Sequence, residues 1–258
     1  VASIQEQVTY GIDIPTAWGC VLLYTLQIYY DFSGYSDIAI GLSNIFGLEL
    51  DENFRFPYTA VSITDFWRKW HISLGTWFKE YIYIPLGGNR KGWIRTLVNF
   101  GIVFLITGIW HGAGGNYIFW GALHGTVRIL EKCIEKKKLY IKIPKAVKWI
   151  FTMLIVSIGW QAFRFSNIKE LFDYYKILFG IVRFDASDIF YQFVYFFDKK
   201  AIILCTVGIL GATIFSADRM KRAVNYLQKK SVGLIIQEIV LLGVMIVSVI
   251  CMVNSTYS

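Results

Sequence analysis

The strongest constraint on the fold is a series of apolar runs that alternate with polar segments along the chain. Two of these runs, Leu97–Ile109 and Tyr117–Leu130, flank a glycine-rich break at Trp110–Gly115 (WHGAGG). The others are Ile14–Tyr30, Ile38–Leu48, Trp149–Phe163, Ala201–Phe215 and Ser231–Val253. Several approach the roughly 20 residues that a helix needs to cross a bilayer. We therefore expect an all-α, polytopic transmembrane protein with short re-entrant or interfacial helices around a buried histidine pocket.

Charge is distributed as it is in membrane proteins. The chain is 55% hydrophobic and carries a formal net charge of +8. The basic residues cluster in segments 51–96, 128–148 and 218–230, which we assign to the cytoplasmic side, whereas the near-neutral segment 164–200 is expected outside. This distribution favours contacts with membrane lipids and argues against a nucleic-acid partner. It also places the break around His111 near the centre or the outer half of the membrane.

Segment 51–96 is too polar to span and rich in aromatic residues, which is typical of interfacial or re-entrant helices. Ser62 and Asp65 predict a helix start by capping-box logic, with Asp in place of the usual Glu. On one continuous helix from there, Trp67, His71 and Phe78 would share a face. A second amphipathic helix is predicted around Ile168–Leu178.

Three histidines, His71, His111 and His124, carry the available proton chemistry. A titratable side chain at membrane depth is costly, so His111 is the first candidate for a functional base. For His124 we favour a structural role, as a hydrogen-bonding residue between helices. The chain has neither a GxSxG nucleophile motif nor a GxxxxGK[ST] phosphate loop, and its four cysteines are far apart. We therefore predict proton transfer in a buried pocket, without a metal.

A polar patch at Asp31, Ser33 and Asp37 follows the first apolar run directly. Two interpretations are open: an interfacial turn in which Ser36 and Asp37 cap a helix, or a patch that lines a cavity and binds substrate. We also assign Trp67 and Trp110 to substrate binding. Five basic residues are candidates for contacts with donor phosphates or, equally, for lipid headgroups and topology: Arg55, Arg68, Lys69, Arg90 and Lys91. Of these, Arg68, Lys69 and Arg90 are the predicted donor-binding set.

Four motifs, taken in order, resemble the membrane-bound O-acyltransferase family and, within it, the bacterial alginate O-acetyltransferase branch. They are Tyr30–Gly41 (YDFSGYSDIAIG), Phe66–Leu74 (FWRKWHISL), Trp77–Arg90 (WFKEYIYIPLGGNR) and Gly108–Gly112 (GIWHG). The resemblance is strong over residues 14–130, the motif core, and elsewhere rests on hydropathy. It implies one membrane-embedded domain over 1–258. Because the chain begins at Val1 and family members are longer, we expect a C-terminal fragment of a longer protein.

The resemblance implies that His111 is the catalytic histidine and that His71 is the second functional position. It further implies an O-acyltransferase, more narrowly an O-acetyltransferase, in the cytoplasmic membrane of a bacterium. The donor would be acyl-CoA (acetyl-CoA), used as a substrate and not as a bound cofactor. The acceptor would be a hydroxyl of an extracytoplasmic polysaccharide, reached with the help of an extracytoplasmic acetyltransferase-type partner protein.

Two other classes of protein fit the composition. A transporter or channel would use Asp31, Asp37 and the histidines as an ion or proton path. A structural subunit would only anchor an extracellular transferase. Transfer of an acyl group by the full-length protein, lost in a His111 variant, would exclude the first class, and binding of labelled acyl-CoA would argue against the second.

Overall fold

The computed structural model describes residues 11–137, 143–184 and 196–213, and isolated positions between 226 and 246. These residues form helices and connecting loops, and none of them lies in a β-strand. The chain divides into two compact units, 1–212 and 213–258, and the site discussed below lies within the first. The predicted span Ser231–Val253 falls outside the described residues apart from isolated positions.

Helix α1 spans Ile14–Ile45, which corresponds to a length of about 48 Å. Asp13 caps its first turn, where Asp13 Oδ1 accepts a hydrogen bond from Thr16 N at 2.9 Å. The helix continues through the polar patch, so of the two interpretations left open the interfacial turn capped by Ser36 and Asp37 is wrong. Three residues at seven-residue spacing, Tyr29, Ser36 and Ser43, are all buried, which gives α1 one continuous packed face across this segment.

Short helices follow, as expected for segment 51–96. They comprise a 3₁₀ turn at Pro57–Thr59, α2 at Ile63–Trp67, α3 at Ile72–Phe78 and a π-helical turn at Lys79–Tyr83. The predicted cap is confirmed, since Ser62 Oγ accepts a hydrogen bond from Asp65 N at 2.9 Å. The predicted continuous helix is wrong, because α2 ends at Trp67 and His71 adopts a left-handed conformation with φ of 46°. His71 and Trp67 therefore do not share a helical face.

Helices α4 (Trp93–His111) and α5 (Gly115–Lys136) form a tight hairpin around the glycine-rich break. Small residues bring the two backbones together. A Cβ atom at Gly108 would lie 2.5 Å from the carbonyl oxygen of Tyr117, and Gly121 approaches the Phe104 carbonyl equally closely. The hairpin confirms that the two apolar runs are helices that meet at a turn.

Helix α6 spans Lys145–Trp160 and continues as a 3₁₀ turn at Gln161–Phe163. Helix α7 spans Ile168–Leu178, as predicted, and α8 spans Lys199–Thr213. Two buried tyrosines bond to α1. Tyr174 of α7 donates a hydrogen bond to the Ala17 carbonyl at 2.6 Å, and Tyr58 of the 3₁₀ turn at Pro57–Thr59 donates to that of Thr25 at 2.5 Å.

Two helical stretches in the described part of the chain are long and apolar enough to cross a membrane. They are Trp93–His111, which is α4, and Lys145–Phe163, which is α6 with its 3₁₀ extension. Both begin with basic or aromatic residues near the segments assigned to the cytoplasmic side. The aromatic core between them contains Trp120 and Trp160, both almost fully buried.

Candidate active site

His111 is the last residue of α4 and lies half-buried at the turn of the hairpin. Aromatic rings surround it, and each meets the imidazole edge to face. The ring centroids are 5.1 Å away for Trp120, 5.0 Å for Phe163 and 4.8 Å for Trp110. No described residue forms a hydrogen bond with either ring nitrogen of His111. The imidazole is thus held by packing while its nitrogens stay available to a substrate.

The hairpin determines the position of this imidazole. At the turn, a Cβ atom on Gly112 would lie 2.6 Å from the ring of Tyr117, so a glycine is needed to let Tyr117 cover the turn. Tyr117 in turn packs against Phe163, with 5.4 Å between the ring centroids. The glycines that predict a break in the sequence therefore allow the two helices to approach each other closely.

Asn116 joins the hairpin to the end of α6. Its side-chain Nδ2 donates to the carbonyl oxygens of Ala162 at 2.8 Å and of Phe165 at 3.0 Å. These two bonds fix the 3₁₀ turn that carries Phe163, which forms one wall beside His111. Asn116 is almost completely buried, so the bonds are shielded from water.

His71 lies at the start of α3, half-buried against the edge of Phe32 at 4.7 Å between ring centroids. Its Nδ1 is 3.3 Å from Asn53 Oδ1. Burial lowers the pKa of His71 below its ordinary value. The neutral imidazole is therefore the form that predominates at neutral pH.

The two predicted catalytic histidines adjoin one aromatic cluster. Trp160 packs against Trp70, the residue before His71, at 4.7 Å between ring centroids, and against Phe163, which contacts His111, at 5.7 Å. An open groove of about 340 Å³ lies beside Phe32. Its other lining residues are Tyr24, Gln27, Ile28, Asp31 and Tyr35. Asp31 thus lies on a concave surface that reaches the aromatic neighbour of His71.

The other predicted substrate-binding residues lie apart from that groove. Ser33 and Asp37 are on α1 but do not line it. Trp110 is 57% exposed beside His111. Trp67 packs in the aromatic core and donates from Nε1 to His124 Nδ1 at 3.3 Å. The fully buried His124 therefore forms the interhelical hydrogen bond that its predicted structural role requires.

The predicted donor-binding cations also differ in their surroundings. Lys69 forms an ion pair with Asp65 at 2.9 Å, across one turn of chain. Arg68 is exposed next to it, and Arg90 is exposed in the turn before α4. The structure does not gather the three around one described cavity.

Sequence reasoning missed three polar residues that organise the site: Asn53, Asn116 and Glu131. The last is a buried residue of α5 whose carboxylate accepts hydrogen bonds from Ile63 N at 2.5 Å and Thr64 N at 2.9 Å. It thereby caps α2, the helix that carries Trp67. Each of the three bonds to residues distant in sequence, so no local pattern indicates its role.

These observations define a helical protein with two candidate spans and two histidines beside one aromatic cluster, one of them in a Trp-His-Gly turn. The sequence model of the membrane-bound O-acyltransferase family matches residues 12–158, more than half of the chain. The chain belongs to this membrane-bound O-acyltransferase family.

Individual relatives are similar over the same region. The chain is 46% identical over 186 residues to the probable alginate O-acetylase AlgI of Pseudomonas fluorescens, covering 70% of this chain and 37% of that protein. It is 43% identical over 168 residues to the peptidoglycan O-acetyltransferase of Helicobacter pylori, covering 64% and 31%. It is 31% identical over 140 residues to the teichoic acid D-alanyltransferase of Bacillus subtilis, covering 52% and 35%. The chain thus spans about a third of the length of the curated relatives it matches.

Proposed function

We propose that the protein containing this chain is a membrane-embedded O-acyltransferase with His111 as its general base. The observation that supports this most is the imidazole of His111, which aromatic rings hold in place and to which no described residue hydrogen-bonds. The proposed reaction is acetyl transfer from cytoplasmic acetyl-CoA to a hydroxyl of an extracytoplasmic polysaccharide. Membership in the family and the acetyltransferase names of the relatives support this class of reaction.

The proposed chemistry balances without a metal or a redox partner. A ring nitrogen of neutral His111 takes the proton from the acceptor hydroxyl, and the oxygen attacks the thioester carbonyl carbon. The tetrahedral intermediate then expels the thiolate as its carbon–sulfur bond breaks. The imidazolium returns the proton to the sulfur, which leaves an ester, a free thiol and a neutral histidine.

Donor and acceptor are proposed to arrive from opposite sides of the bacterial cytoplasmic membrane. Segment 51–96, which ends in the first turn of α4, is net basic and suits the side where an anionic donor arrives. Arg68 and Arg90 are exposed there and remain the candidates for donor phosphates. An extracytoplasmic acetyltransferase-type partner is proposed to complete delivery to the polymer.

The experiment that tests this proposal uses cells that produce the intact protein. The His111→Ala variant is expected to abolish acetylation of the surface polysaccharide while its amount in the membrane stays unchanged. Leu105→Ala is a matched control on the same helix, since Leu105 is 40% exposed and lies six residues before His111. Wild-type acetyl content in the His111→Ala strain would refute the assignment.

A further inference from the structure

We propose that Asn53 is a positioning residue that fixes His71 in its Nδ1–H tautomer and so leaves Nε2 as a hydrogen-bond acceptor in the site. A neutral histidine has two tautomers, and the group bonded to one ring nitrogen selects between them. The inference about the tautomer is independent of the reaction, whereas the role given to Nε2 rests on the proposed function.

Ser73 determines whether Asn53 presents its amide oxygen or its amide nitrogen to His71. The backbone N–H of Ser73 donates to Asn53 Oδ1 at 3.1 Å, and the Ser73 hydroxyl donates to the same atom at 2.7 Å. A backbone N–H can only donate, so the amide must present its oxygen here and not its NH₂ group. The Nδ1 of His71, 3.3 Å from that oxygen, must then carry the hydrogen.

Asn53 is itself held by backbone pairing. Its carbonyl oxygen accepts from Ile72 N at 3.0 Å, and Arg55 N donates to the Lys69 carbonyl at 2.9 Å. These bonds fix the segment of Asn53 alongside the turn that carries His71. The left-handed backbone at His71 costs energy for a residue with a side chain, and the bonds from Ile72 and Ser73 to Asn53 offset that cost.

This tautomer determines which substrate groups His71 can bind. With its hydrogen on Nδ1, neutral His71 has a lone pair at Nε2, to which no described residue donates. Phe32 meets the ring at an interplanar angle of 89° and provides an apolar wall. Nε2 therefore accepts from an O–H or N–H of a substrate, such as the acceptor hydroxyl or a donor amide. It does not donate to the thioester carbonyl oxygen, so His71 is assigned to substrate orientation.

The test is ¹⁵N NMR of the intact protein, labelled at histidine and kept in detergent micelles above neutral pH. The His71 signals are assigned by their loss in His71→Gln. The wild type is expected to show a protonated Nδ1 and an unprotonated Nε2. Asn53→Asp keeps the acceptor oxygen and should keep this tautomer, whereas Asn53→Leu should convert His71 to Nε2–H or to a mixture.

Ser73→Ala is the matched control, because it removes one bond to Asn53 Oδ1 but leaves the bond from His71. It should keep the Nδ1–H tautomer, with acyl transfer within twofold of wild type. Asn53→Leu should lower acyl transfer at least tenfold, and Asn53→Asp should restore most of it.

A wild-type spectrum with the hydrogen on Nε2 would overturn the inference even if Asn53→Leu did not fold. An unchanged tautomer in a folded Asn53→Leu protein would overturn it too. Failure of the proposed function is a separate result, namely full acyl transfer by His111→Ala. It would leave the tautomer assignment intact.

Discussion

The sharpest structural prediction concerns Gly108, where α4 and α5 touch. An added Cβ would lie 2.5 Å from the carbonyl oxygen of Tyr117, about 0.9 Å inside the 3.4 Å at which ordinary contact begins. The obstructing atom belongs to the backbone and cannot rotate away, so Gly108→Ala must push the two helices apart near His111. Overpacking of this kind costs about 1–3 kcal/mol, and the better helix propensity of alanine returns up to about 1 kcal/mol.

With the full return from helix propensity, we expect Gly108→Ala to lower the free energy of unfolding by up to about 2 kcal/mol, which would lower the thermal midpoint by up to several degrees. The rate of acyl transfer should fall by more than the loss of folded protein explains, because a displacement of about 1 Å at a reacting group can cost roughly 100-fold in rate. The measurements are thermal unfolding of the intact protein in detergent and the initial rate of acyl transfer below the unfolding transition.

Gly101→Ala provides the control, because Gly101 is seven residues earlier on the same helix. Its added Cβ would meet only Ile129 Cδ1 at 3.8 Å, an ordinary contact. This variant should match or slightly exceed wild-type stability and keep its activity. Equal behaviour of the two variants would refute the argument that close backbone contact at Gly108 positions His111.

Two further predictions concern the polar residues around the site. Glu131→Ala leaves the N–H groups of the buried Ile63 and the half-buried Thr64 without their acceptor, so the free energy of unfolding in detergent should fall by roughly 2–5 kcal/mol. Glu131→Gln keeps one acceptor oxygen and should lose less stability, and equal losses would refute the capping role. Because burial lowers the pKa of His71 below 6.5, the unfolded chain binds the proton more readily. The wild type should therefore lose more thermal stability than His71→Gln between pH 7.5 and pH 5.5, and parallel losses would contradict this.

Periodicity and capping chemistry are sufficient to predict much of this fold. An amphipathic pattern predicts a helix around Ile168–Leu178, and the structure has that helix at the same residues, with Asn167 as its cap. The turn at His111 is also predictable, since glycines interrupt two apolar runs. The left-handed conformation of His71 is not predictable, because nothing in the local sequence indicates that one helix ends at Trp67 and the next begins five residues later at Ile72.

The candidate site was also only partly predictable, because some of its residues act through contacts between segments that are distant in sequence. A sequence reveals residue types with intrinsic proton chemistry, and His111 became the first candidate base on that ground, whereas the role predicted for His71 came from the family resemblance. Asn53, Asn116 and Glu131 act through hydrogen bonds to residues 18 to 68 positions away. Their roles depend on which segments the fold brings together, and pattern rules over short windows do not contain that information.

The central claim is that His111 takes the proton from the acceptor hydroxyl. Its most direct test is the rate of thiol release from acetyl-CoA by the purified intact protein with an acceptor present, compared between wild type, His111→Ala and the Leu105→Ala control. Loss of a general base predicts a rate about 10²–10⁴ times lower in His111→Ala, with Leu105→Ala close to wild type. Acceptor-dependent thiol release by His111→Ala at the wild-type rate would contradict the account.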